Sequence, residues 1–404
     1  MVYFKQAKRI LETGLKAIRL NTDGPIFRSQ ILAVTMNTQK IHDYIIIGQG
    51  LAGSLLAHEL LEYTQNILVI DDHLKSSASN MAAGLINPVT GMRIVKTADV
   101  EALLPAARSR YRSLEIKLKI RLLHETPMLR ILQSADEYSK LLKRQQQPEY
   151  QPWVGDYHIA NAQTKLVDQF GSFDQRQTGW LDVSKLLLKT RELLSHHYQE
   201  YSVHPSNIRV TRQNDQSLIS VQNDNSPTEF LAKHLIFCRG YKDQDNSWFD
   251  WLPFTPVKGE ILTLRANKAL PSSLINFSQW VIPIDSHTIK TGASWDRENL
   301  DLEITSDARD KLMQNIRKLY KIPGLEFKVL EQQAGIRPCT RQRTPFVGQH
   351  PQTPQISIFN GFGSKGSLLI PYYAKQFARQ LSTTDYQSDP IMQAANINRY
   401  WHAS

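Results

Sequence analysis

The sequence is short of several things, and each shortage excludes a class of protein. Two cysteines, Cys238 and Cys339, in 404 residues allow neither a disulfide framework nor a Cys-rich metal site, and they suit a reducing compartment. No stretch approaches the roughly 18 to 20 uninterrupted apolar residues of a membrane-spanning helix. The twelve histidines are scattered without ligand spacing, so no metal site is expected. Internal repeats and low-complexity segments are also missing. An apolar share of 41% with 21% charged residues then points to an ordinary globular protein.

An excess of one charge occurs only locally. The net charge is +10, yet residues 1–40 hold seven basic side chains against two acidic ones and account for half of it. The remainder is modest, which weakens a nucleic-acid reading from charge alone. Within that stretch, "YFKQAKRILETGLKAIRLN" sets Phe4, Ala7, Leu11, Leu15 and Ile18 at helical spacing among basic residues. It reads either as an organelle-targeting or membrane-surface helix, or as an extension ahead of a start at Met36. The second reading is preferred: residues 1–41 are treated as a basic extension and the protein is expected in the cytoplasm.

The informative part begins at "DYIIIGQGLAGSLLAHELL". An apolar run at 43–47 leads into GQGLAG and a helix over 52–63, and a second run, "NILVIDD", follows at 66–72. Strand, glycine turn, helix and strand form a βαβ unit, which implies a parallel sheet. In the turn, Gly48 permits the tight bend, Gly50 lets backbone approach a pyrophosphate, and Gly53 lets the helix pack on the strand. Leu51 and Ala52 open the helix, whose N–H groups and dipole favour phosphate. Asp71, 18 residues beyond Gly53 and followed by Asp72, is placed to accept hydrogen bonds from a ribose diol. The loop is expected to bind a dinucleotide.

Two further segments favour FAD over NAD. "SSASNMAAGLINP" at 76–88 brings small residues, among them Ser79, Ala83, Gly84 and Leu85, where a broad cofactor could thread beneath the chain. "NGFGSKGSLL" at 360–369 supplies a second glycine turn before a helix: Gly361, Phe362, Gly363, Ser364, Lys365, Gly366 and Ser367. The buried strand "HLIFCRG" ends on Gly240 between them. Loops so far apart in the chain suit one long ligand held across a single sheet. Elsewhere, 97–123 and 306–320 are helical in character, 181–198 is an amphipathic helix with Asp182 near its start, and 144–180 is irregular with the strand-like piece "WVGDYHI". "KGEILTLR", "QWVIPI" and "HTIKTGASW" read as strands.

At GQGLAG with Asp71, at "SNMAAGLINP", and at the pair "GIRPCTRQRTPFVG" and "GFGSKGSLLIP", the chain resembles the D-amino-acid oxidase superfamily, which includes glycine and sarcosine oxidases. The last pair is most similar to the oxidase half of the bifunctional enzymes that finish 5-methylaminomethyl-2-thiouridine in tRNA; their methyltransferase half is expected to be missing here. The resemblance implies an α/β fold in which a Rossmann-like FAD-binding domain, built from segments 42–115, 176–245 and 330–395, is joined by a β-rich substrate domain from 116–175 and 246–329. It implies FAD-dependent oxidation of a C–N bond in a glycine-like or N-substituted amino acid, with hydride transfer to the flavin, imine hydrolysis and flavin reoxidation. Arg337 matches the position that pairs with the substrate carboxylate, a task suited to a planar guanidinium. Lys290 falls near a lysine that assists reaction with oxygen, and Lys365 near the flavin's pyrimidine edge. Where glycine oxidases carry an arginine and a histidine in the last turn, this chain has Ser364 and Phe362. Cys339 is offset from the cysteine that tethers flavin in sarcosine oxidases, so FAD is expected to be non-covalent. The alternatives are removal of a carboxymethyl group from a tRNA wobble uridine, with tRNA as partner, and a flavoprotein subunit without turnover.

Overall fold

A computed structural model describes residues 40–72, 77–213, 216–222 and 229–401. The targeting and extension readings fall on residues 1–39, outside the described residues. Among the described residues no helix is long and apolar enough to cross a membrane.

The first apolar run forms strand β1 (Ile41–Ile47), the glycine turn leads into helix α1 (Leu51–Leu60), and the second run forms β2 (Ile67–Asp71), parallel to β1. β1 reads as continuously apolar because both of its faces are covered. Tyr44 and Ile46 enter the core shared with α1 and with the helices Val100–Leu118 and Gly366–Ser382, whereas Ile45 and Ile47 point into the core on the opposite side. Each such isoleucine, 4% exposed or less, contributes about 1.5 to 3 kcal/mol by leaving water.

On its other edge β1 pairs in parallel with Glu229–Phe237. That strand then forks. Its first half carries the antiparallel hairpin Ile208–Gln213 and Gln216–Gln222, and its second half pairs in parallel with Ile356–Asn360. Parallel strands with helices on a face leave their crevice at the carboxyl edge, where ligands of such sheets bind. Four turns meet there: Gly48–Gly50 after β1, Asp71–Asp72 after β2, Arg239–Gly240 after the forked strand and Gly361–Gly363 after Ile356–Asn360. Asp182 caps the helix Val183–Leu193, accepting from the Lys185 N–H at 3.1 Å.

The second large sheet is mostly antiparallel and eight-stranded, with Phe327–Arg337 along one edge and Val257–Ala266 next to it. One face carries Leu262, Leu264 and Ile289, covered by Leu312, Ile316 and Leu319 of the helix Ser306–Leu319. The division expected at residue 330 falls inside Phe327–Arg337. Ten registered pairs with Val257–Ala266 bind this strand to the second sheet along its length. It ends only at Pro338, whose missing N–H terminates pairing.

Candidate active site

Gly48 turns the chain at φ +106°, and a Cβ there would lie 2.5 Å from the Cys238 carbonyl oxygen, so only glycine fits. α1 starts at Gly50 without a side-chain cap and with no acid in its first turn, which leaves its dipole and N–H groups suited to an anion. The Leu51 N–H donates to Ser79 Oγ at 3.0 Å. Ser79 belongs to the small-residue loop, which thereby lies across the turn. The same loop reaches the second sheet, where a Cβ on Gly335 would come within 2.9 Å of Met81 Cε. At the end of β2, Asp71 Oδ1 accepts from the Gln49 N–H at 2.8 Å, and Arg191 Nη2 lies 3.8 Å from Asp71 Oδ2. Asp72 pairs with Lys242.

These turns and the uncovered face of the second sheet enclose a cavity of about 510 Å3, in the size range of cofactor and substrate sites. Of the expected cofactor residues, Gly48, Gly50, Leu51, Ala52, Asp71 and Asp72 line it. So do Ser79, Ala83, Gly84 and Leu85, Gly240, and Phe362 with the run from Gly363 to Ser367. Three expected residues do not. Gly53 lies on the buried side of the helix, where a Cβ would meet the Gly48 carbonyl oxygen at 1.9 Å, so its part is packing. Gly361 is turned against Thr340 and Phe346. Lys290 is registered between Thr263 and Ile282, one row along from Gly292, whose partners Ile261 and Trp280 belong to the cavity wall.

Two cations in the lining have no carboxylate partner among the described residues. Arg337 ends the edge strand and folds its guanidinium over Gly259, where a Cβ would stand 2.0 Å from Nη2. Its polar contact is long, Nη2 to the Ser294 carbonyl at 3.5 Å, and its Cζ lies 5.5 Å from the Trp295 ring centre. Burial lowers the pKa of this guanidinium. Lys365 donates from Nζ to Thr97 Oγ1 at 2.9 Å; burial, then the charge of Arg343, lowers its pKa. By contrast Arg130, also in the lining, lies 3.5 Å from Glu137 and is neutralised. Desolvating an unpaired cation is costly, so two of them facing one cavity imply an anionic occupant. Cys339 is not in the lining; a Cβ on Gly363 would stand 3.4 Å from its Sγ.

Sequence reasoning missed Gly259, Arg130, Trp280 and Trp295. A glycine inside the strand "KGEILTLR" was the one available signal, since strand glycines mark close approach. The tryptophans sit in strand-like text and look like core.

An uncapped helix N-terminus, an acid at the end of the next strand and two free cations fit a dinucleotide with its phosphates and ring system. A parallel sheet holding that cradle, closed by an antiparallel sheet, defines a dinucleotide-dependent oxidoreductase. More narrowly, residues 43–380 match the FAD dependent oxidoreductase family, to which this chain belongs, and FAD is the cofactor. The chain is 22% identical over 384 residues to the bifunctional protein ThiO/ThiG of Nostoc sp., covering 88% of this chain and 55% of that protein. It is 28% identical over 141 residues to the glycine oxidase of Pseudomonas putida, 34% of this chain and 38% of that one. A tRNA 5-methylaminomethyl-2-thiouridine biosynthesis bifunctional protein of Marinobacter nauticus is 22% identical over 371 residues, 87% of this chain and 57% of that protein. The chain thus spans little more than half, or less, of these curated relatives. Among solved structures, glycine oxidase from Geobacillus kaustophilus superposes with a TM-score of 0.73 at 18% identity, covering 87% of this chain and 98% of that one. Iminodiacetate oxidase from Chelativorans sp. BNC1 gives 0.68 at 18% identity, covering 83% and 94%. These likenesses bear out the expected α/β fold with its Rossmann-like FAD domain.

Proposed function

We propose that this enzyme oxidises the C–N bond of glycine or an N-substituted glycine. The observation that carries the proposal is Arg337, a half-buried guanidinium facing the cavity with no carboxylate partner among the described residues. A planar fork of donors in that position suits a substrate carboxylate held bidentately. FAD, when bound, supplies the two-electron acceptor for the α-hydride. Arg337 fixes the carboxylate, and Gly259 leaves the space in which the guanidinium lies. Ile261 and Trp280 form an apolar wall that limits water at the reacting carbon. Lys365 provides positive charge at the second glycine turn, where it would stabilise a developing anion. Hydrolysis of the resulting imine gives glyoxylate and the free amine. Relatives named glycine oxidase and a neighbour named iminodiacetate oxidase support this substrate class.

The cofactor is expected to be held without a covalent bond, because Cys339 lies behind Gly363 rather than in the lining. Flavin released into the supernatant on acid precipitation supports this, and flavin retained in the pellet overturns it. The catalytic proposal is tested by steady-state kinetics with glycine and sarcosine. Arg337→Ala should retain FAD and raise KM by roughly tenfold to hundredfold, as expected for loss of charged hydrogen bonds of about 1.5 to 3 kcal/mol. Unchanged kinetics would remove Arg337 from the site.

A second substrate has one specific observation in its favour, the match over 371 residues to a tRNA 5-methylaminomethyl-2-thiouridine biosynthesis protein. In that reading the N-substituent of the glycine is a wobble uridine. Salt-sensitive binding of tRNA bearing a carboxymethylaminomethyl group supports it, and no binding at low salt excludes it.

A further inference from the structure

The loop after the strand Thr288–Gly292 presents Trp295, which lines the cavity yet is 58% exposed. An exposed indole on a loose loop needs no explanation, but this one is firmly held. Its neighbours are tied to the strand Val257–Ala266 on both sides. The Ser294 N–H donates to the Glu260 carbonyl at 3.0 Å, and the Glu260 N–H donates to Ser294 Oγ at 2.8 Å. Lys258 and Asp296 exchange N–H to carbonyl bonds at 2.9 and 3.1 Å. Two guanidiniums address the ring: Arg337 from inside the cavity at 5.5 Å and Arg297 from the exposed loop at 5.7 Å. The carboxylate beside Arg297, that of Asp296, is turned onto the Glu298 and Asn299 N–H groups. A partly uncovered aromatic face on a backbone-anchored loop therefore stands at the cavity, next to the residue proposed to grip the carboxylate.

We infer that Trp295 is a stacking platform that selects substrates whose amine nitrogen carries a planar aromatic or heteroaromatic ring. The inference rests on the proposal that Arg337 binds the carboxylate. With the carboxylate on Arg337, an N-substituent leading out of the cavity passes the indole that Arg337 itself touches. The loop hydrogen bonds fix the backbone on either side of Trp295 before any ligand arrives, so no loop has to be ordered on stacking. The positive charge of Arg297 adds attraction for an electron-rich ring.

The probes are (methylsulfanyl)acetate and (benzylsulfanyl)acetate, carboxylates in which a thioether sulfur replaces the amine nitrogen so that no C–N bond is available for oxidation. Their affinities for the FAD-loaded enzyme are measured by calorimetry. The benzyl probe should bind about tenfold more tightly or better, the worth of one aromatic pair. Trp295→Ala should reduce that preference below about threefold, and Trp295→Phe should keep most of it. Arg337→Ala should weaken both probes alike while preserving their ratio. Equal affinities in the unmodified enzyme, or a preference that survives Trp295→Ala, overturn the platform. Affinities unmoved by Arg337→Ala overturn the carboxylate assignment and leave the Trp295 ratio as a separate result. Binding of neither probe overturns both.

Discussion

Gly259→Ala is a sharper probe of the site than removal of Arg337, because it adds one methyl group and leaves the guanidinium in the chain. Gly259 lies in a strand, where alanine is tolerated. The new Cβ would stand 2.0 Å from Arg337 Nη2, whereas ordinary contact begins near 3.4 Å. The group that must yield is the tip of a flexible side chain, so folding and FAD content should be nearly unaffected. The guanidinium cannot stay where it is. A displacement of this size breaks at least one of its two hydrogen bonds to a bound carboxylate, each about 1.5 to 3 kcal/mol. KM for glycine or sarcosine should therefore rise roughly tenfold to hundredfold, with kcat changing less, since the interaction is made in both ground and transition states. Melting temperature and flavin absorbance per protein serve as the controls. An unchanged KM in Gly259→Ala, together with a raised KM in Arg337→Ala, would refute the claim that this glycine places the guanidinium.

Three other outcomes follow from the same geometry. Gly50→Val should abolish FAD retention, measured as flavin absorbance after purification, because even a Cβ at that position comes within 3.0 Å of Ser79 Oγ and narrows the phosphate approach. Lys365→Met should retain flavin but lower its reduction potential, by roughly 30 mV for each 1.4 kcal/mol of lost electrostatic stabilisation. An unaltered potential would separate Lys365 from the ring. His58 is fully buried, lies 3.0 Å from Thr190 Oγ1 through Nε2, and has its pKa held down to about 3 by burial and by Arg110 and Lys117. A depressed pKa means stability that is present above the unfolded value near 6.5 and lost as the pH falls toward 3. Between pH 7.5 and 5 the His58 share amounts to about 2 kcal/mol. Denaturant unfolding of His58→Gln should lose less stability over that interval by this amount, and identical pH dependence in the two proteins would contradict it.

The parts of the structure legible in the sequence are those written in local punctuation. Glycines at 48, 50 and 53 between an apolar run and a helical pattern specify strand, turn and helix, because the backbone conformation and the close approach are properties of those residues themselves. The same holds for the turn at 361–366 and the small-residue loop around Ser79. What stayed hidden depends on partners distant in sequence. Gly259 matters because Arg337 crosses it, a pairing fixed by sheet register and visible only once Val257–Ala266 and Phe327–Arg337 are aligned. Lys290 lies on the cavity-facing side of its strand, but alternation fixes only the side; the distance along the strand leaves it one row beyond the wall. The resemblance assigns 330–395, and with it Ala334 and Ile336, to the cofactor domain, yet the hydrogen bonds of their strand run to the other sheet. Trp295 reads as a strand-end hydrophobe, and its exposure comes from a loop whose anchors lie about 35 residues upstream.

The most direct test of the central claim is the flavin spectrum of the purified enzyme, mixed anaerobically with glycine, with sarcosine and with tRNA bearing the carboxymethylaminomethyl group. Oxidation of the amine requires that at least one of them bleach the long-wavelength flavin band, with glyoxylate formed in equal amount. A band unchanged by all three would contradict the assignment of this cavity to glycine-type C–N oxidation.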